Sequence, residues 1–83
     1  MKVTVIGSHL CPDTLYALNR LAGAGAEVEF KDILSCHAAL QDYLELRESS
    51  PLYEGIRGTR RLGVPCFVKE DGAATLELND ILG

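Results

Sequence analysis

This sequence predicts a small α/β domain in which a parallel strand pair is joined to an antiparallel hairpin. Three observations carry that expectation. Two strand-like runs, one from Lys2 to Gly7 and one around Val28 and Phe30, flank a stretch with leucine and alanine at helical spacing. A second helix-like stretch leads on to an apolar run from Gly63 to Val68. The turn signal Glu70-Asp71-Gly72-Ala73 then folds the chain back into a strand over 75–78. The 83 residues make one domain, 1–83, and 47% apolar composition is too much for a disordered chain.

Lys2 to Gly7 is rich in β-branched residues and nearly continuously apolar at its centre, as befits a strand covered on both faces. Pro12 to about Ala24 carries Leu15, Leu18, Leu21 and Ala22 on one helical face, and Gly23 and Gly25 supply the stop. Val28 and Phe30 alternate with Glu29 and Lys31, which predicts a second strand ending near Asp32 or Ile33. The right-handed crossover rule makes the two strands parallel, with their carboxyl ends on one edge of the sheet. Ser35 is the expected N-cap of a second helix, which runs through Ala38, Leu40, Tyr43 and Leu46 to end near Arg47. Pro51 breaks the pattern, and 52–57 reads as a further short helix stopped by Gly58. The third strand opens on a proline, which suits its first residue or an edge. Asn79 to Leu82 reads as a helix start that is not continued. The predicted order is β-α-β-α-β-β with a truncated C-terminal helix.

A net charge of −4 argues against sequence-independent nucleic-acid binding, which needs a basic surface. No apolar run approaches a membrane span, and the apolar start is cut off by Gly7-Ser8-His9 too soon for a signal peptide. A cytoplasmic protein with neither nucleic acid nor membrane as partner is expected. The three cysteines are an odd set with no C-x-x-C pair. His9, Cys11, Cys36, His37 and Cys66 fit no standard zinc spacing, so no metal is expected.

The chemistry centres on Ser8-His9-Leu10-Cys11-Pro12-Asp13-Thr14. Pro12 is suited to the first helical position, which puts Cys11 at the helix N-terminus. There the helix dipole favours thiolate over thiol, so Cys11 reads as a nucleophile. Asp13 opposes this by like-charge repulsion while stabilising the first turn. Thr14 is spaced to donate a hydrogen bond to the thiolate, or else faces solvent or caps. His9 offers a positive charge or a proton shuttle, against the alternative of an idle loop histidine. Cys36, beginning the second helix on the same edge, is either a resolving thiol for Cys11 or a small helix-start residue. Cys66, inside an apolar strand, is expected in the core. Arg57, Arg60 and Arg61 form either an anion site for a carboxylate or a solvated basic face.

Leu10-Cys11-Pro12-Asp13-Thr14 opening the first helix, together with Gly63-Val64-Pro65-Cys66-Phe67-Val68 opening the third strand, resembles the glutaredoxins of the thioredoxin fold. The likeness extends over nearly the whole chain and lies closest to small bacterial glutaredoxin-related proteins. It implies a thioredoxin-like fold and a cis Pro65 lying against the nucleophile, with Val64 presenting backbone groups to a bound peptide or glutathione. It also implies a contact from Asp80 to the amino end of glutathione, with Pro12, Arg57 and Arg61 as further candidates for substrate contact. Thr14 stands where dithiol members carry a second cysteine, so the resemblance implies monothiol thiol–disulfide exchange through Cys11. Glutathione or another low-molecular-weight thiol would be the co-substrate, with no tightly bound cofactor and with a protein disulfide as a possible client. A redox-inactive binding module or adaptor is the alternative, and an iron–sulfur carrier is the third reading.

Overall fold

The computed structural model describes all of residues 1–83. Strand β1 (Lys2–Gly7) leads into helix α1 (Pro12–Gly23), then strand β2 (Glu27–Asp32) and helix α2 (His37–Ser49). A single 3₁₀ turn, Pro51–Tyr53, is followed by β3 (Cys66–Lys69), β4 (Ala74–Thr75) and a last short helix, α3 (Asn79–Leu82). The four strands form one mixed sheet in the order β2-β1-β3-β4. β1 runs parallel to β2, with Gly7 opposite Asp32, and antiparallel to β3, with Ile6 opposite Cys66. The expected parallel pair and hairpin are therefore both present.

The apolar centre of β1 is explained by its place in the sheet. Val3 and Val5 face Ala17 and Leu21 of α1 together with Phe67, and Ile81 and Leu82 of α3 pack against this set. Ile6 points to the other face, where it meets Ile33, Tyr43, Tyr53, Ile56 and Cys66. Helices thus pack on both faces of β1, which is buried from Val5 to Gly7, while its Lys2 end stays exposed and Thr4 half-buried. β2 lies at the edge, which is why Phe30 remains exposed and the alternation there is only weakly apolar. Lys31 of β2 meets Asp42 of α2 at 2.6 Å, and that hydrogen bond raises the lysine above its ordinary range.

Several boundaries differ from expectation. Cys36, not Ser35, is the N-cap of α2, because the Ser35 hydroxyl is bonded to Asp32 instead. The predicted helix over 52–57 is only the 3₁₀ turn followed by irregular chain. The third strand begins at Cys66 rather than Gly63, and the fourth is two residues long instead of reaching Leu78. In both cases apolar residues pack into the core without joining the strand ladder.

The close approach of α1 to β1 sets the site. Thr14 is fully buried, and a Cβ added to Gly7 would lie 2.6 Å from its Oγ1. The Thr14 hydroxyl accepts the Ser8 N–H at 3.3 Å, which ties the first turn of α1 to the end of β1. Gly7→Ala should cost about 1–3 kcal/mol through overpacking. The cost should be smaller in a Thr14→Ala background, because the two residues touch. Urea midpoints of the four proteins in that cycle measure both effects.

Candidate functional site

Cys11 is the N-cap residue of α1, and Pro12 takes the first helical position. The turn before it is built from Ser8. The Ser8 carbonyl accepts the Cys11 N–H at 3.0 Å, and its hydroxyl accepts the Leu10 N–H at 3.0 Å. Ser8 is itself buried, so the turn is anchored from below while Leu10 stands exposed. Cys11 is partly exposed and unbridged. Its side chain makes no capping hydrogen bond and is left available for chemistry.

Asp32, the last residue of β2, holds the neighbouring loop. Its Oδ2 lies 2.6 Å from His9 Nδ1 and accepts the Ser35 hydroxyl at 2.8 Å. Its Oδ1 accepts the Leu34 N–H at 3.1 Å and the His9 N–H at 3.4 Å. The Asp32 carbonyl accepts the Cys36 N–H at 3.1 Å. One residue thereby fixes the loops that carry both Cys11 and Cys36. Loss of solvent pushes the Asp32 carboxyl up, but the hydrogen bonds from Leu34, Ser35 and His9 outweigh this, and the net direction is down. Cys36 is exposed and unbridged at the N-terminus of α2.

The opposite wall comes from the segment before β3. The Val64–Pro65 peptide bond is cis. Val64 and Pro65 line a groove of about 240 Å³ with Asp13, Tyr16 and Ala17 of α1 and with Phe67, Leu76 and Leu78. The groove therefore runs along the first turns of α1, beginning two residues after Cys11.

This wall is held by residues that sequence reasoning missed. Arg47 donates to the carbonyls of Ile56, Thr59, Arg61 and Leu62 and to the Tyr43 hydroxyl. The Tyr43 hydroxyl donates to the Leu62 carbonyl, and the Tyr53 hydroxyl to that of Gly63 at 2.7 Å. The two tyrosine rings meet edge to face, 6.0 Å apart. Gly63 has φ +70°, which favours glycine, and a Cβ there would lie 2.8 Å from Ile56 Cδ1, so the end of that side chain would have to move. Composition gave no signal for Arg47 beyond a cation in the last turn of α2.

Three candidates are corrected. Arg57 is not a free cation: its guanidinium donates to the carbonyls of Arg47 and Ser50 at 2.7 and 3.0 Å, satisfying the end of α2. Thr14 is turned inward to Ser8 beneath Gly7, rather than lying open beside Cys11. Asp80 accepts the Thr75 hydroxyl and lines a separate groove with Met1, Lys2, Val3, Lys69 and Glu70, at the opposite end of β1 from Cys11. Arg61 is exposed four residues before Pro65; its carbonyl accepts from Arg47 and its N–H donates to the Thr59 hydroxyl, while its guanidinium makes no hydrogen bond or ion pair. Cys66 is fully buried, and burial pushes its thiol up despite the opposing hydrogen bond with Tyr53.

No family model and no solved structure matches the chain. It is similar to a protein of Haemophilus influenzae described as uncharacterized, at 25% identity over 80 residues, covering 96% of this chain and 93% of that protein.

Asp32 supports a prediction on stability. A depressed carboxyl contributes stability that is present in full above the ordinary aspartate value of 3.8 and lost as pH falls through its lower folded value. Asp32→Asn should therefore lower stability at neutral pH. The gap to the parent protein should narrow on acidification, as urea melts between about pH 2 and pH 7 will measure.

Proposed function

We propose that this protein is a glutaredoxin-like thiol–disulfide oxidoreductase of the thioredoxin fold, acting in the cytoplasm through a monothiol cycle. The observation that carries the reading is the partly exposed Cys11 at the N-terminus of α1, two residues ahead of Asp13, which lines a groove together with Val64 and Pro65. Supporting it are the strand order β2-β1-β3-β4 and the helices on both faces of the sheet.

In this reading the Cys11 thiolate attacks a sulfur of a glutathione mixed disulfide. A Cys11–glutathione disulfide forms as the substrate S–S bond breaks, and the displaced thiolate takes up a proton. A second glutathione thiolate then attacks that adduct, releasing oxidised glutathione and restoring Cys11. No internal partner is needed, in keeping with Thr14 in the place of a second motif cysteine. Tyr16, Val64, Pro65, Leu76 and Leu78 give the groove an apolar lining for the body of a peptide or glutathione, and Arg61 supplies an exposed cation for a carboxylate. No tightly bound cofactor has a part in these steps.

Reduced protein treated with oxidised glutathione should gain one glutathione at Cys11, located by peptide mass spectrometry, and lose it when reduced glutathione is added. Cys11→Ser should abolish the adduct, and Cys36→Ser should leave it in place. An oxidised product bridged between Cys11 and Cys36 would replace the monothiol cycle with an internal resolving one. No preferential reaction at Cys11 would overturn the enzyme and favour a redox-inactive adaptor on the same groove.

A further inference from the structure

Asp32 grips His9 at both the backbone and the ring, at 3.4 and 2.6 Å. A loop clip alone would be served by the backbone bond. The ring contact has a further chemical result. A carboxylate only accepts, so a neutral imidazole facing Asp32 through Nδ1 carries its proton on that nitrogen. Its Nε2 is then the basic nitrogen. His9 is exposed and lies two residues before Cys11, a span of at most about 7 Å between Cα atoms. Ser35 braces the same carboxylate oxygen at 2.8 Å and approaches His9 Nδ1 at 3.4 Å, which further fixes the ring. The nucleophile, the base two residues before it and the orienting carboxylate thus share the one sheet edge where β1 and β2 end and α1 begins, a combination suited to proton transfer once a substrate is seated.

We propose that His9 is a catalytic proton carrier for Cys11 and that Asp32 is its positioning residue. This rests on the exchange reaction proposed above and assigns its proton. His9 Nε2 takes the proton of the Cys11 thiol. The thiolate forms a bond to one sulfur of the mixed disulfide, the S–S bond breaks, and the imidazolium returns the proton to the departing sulfur as a free thiol. Atoms and charge balance, and the only oxidant consumed is the mixed disulfide. The carboxylate of Asp32, kept ionised by its other donors, stabilises the imidazolium between the two transfers. The other titratable groups at the two helix starts on this edge are Asp13 of α1 and Cys36 and His37 beside α2. Their variants serve as controls for the comparison of the two reactions.

The test compares two reactions of Cys11 in a Cys36→Ser background. Alkylation by iodoacetamide expels iodide, which needs no proton. Exchange with a glutathione mixed disulfide expels a thiolate, which does. His9→Gly should slow exchange at neutral pH by about tenfold or more relative to alkylation. Added imidazole should restore part of the loss. Asp32→Asn should likewise slow exchange more than alkylation, with far-UV dichroism and urea melts confirming that the variants are folded. Equal slowing of the two reactions, or no rescue by imidazole, would reduce His9 to a loop clip and overturn the proposal while leaving the monothiol cycle intact. A parent protein that is alkylated at Cys11 but exchanges with no mixed disulfide would overturn both.

Discussion

The carboxylate of Asp32 is the constraint on which the sheet edge depends. It sits at the end of β2, opposite Gly7 in the parallel register, where two strands release their chains into loops. Loops leaving a parallel pair carry unpaired backbone donors that neither strand can satisfy. Asp32 accepts from two of them and from two side chains. An ionised acceptor makes stronger hydrogen bonds than a neutral amide, so one short side chain secures two connections. The thiol-bearing turn therefore inherits its position from an ionised group on a different strand.

The far wall of the groove is built by different physics. The long segment between the 3₁₀ turn and β3 has no ladder of its own, and its carbonyls would be left bare beside the core. Arg47, Tyr43 and Tyr53 satisfy them from α2 and the 3₁₀ turn, using a rigid guanidinium fork and two buried rings. Arg57 does the same for the end of α2. Side-chain donors here replace secondary structure, and they carry Val64 and Pro65 to the side of α1.

The strand and helix order was legible because each element follows a simple period. The apolar centre of β1, the leucine spacing of α1 and the turn at Asp71-Gly72 depend on neighbours a few residues away. Cys11 as a helix N-cap was legible for the same reason, since Pro12 marks the boundary locally. What was not legible depends on long-range partners. Arg57 resembles a free cation until α2 brings its terminal carbonyls to it. Thr14 resembles a motif side chain until Gly7 allows β1 to close over it. Asp32 was marked only as a strand end, because its bond to His9 crosses 23 residues of sequence. The register that makes Gly7 and Asp32 neighbours is a property of the folded sheet, and spacing alone does not encode it.

The three cysteines lie at three depths. Cys36 is exposed, Cys11 is intermediate and Cys66 is sealed in the core against Tyr53. A soluble oxidant therefore meets a chain of two thiols for as long as the sheet holds, and a chain of three once it opens. Covalent damage to the third thiol becomes a record of past unfolding, written in a residue that takes no part in the reaction proposed for the surface.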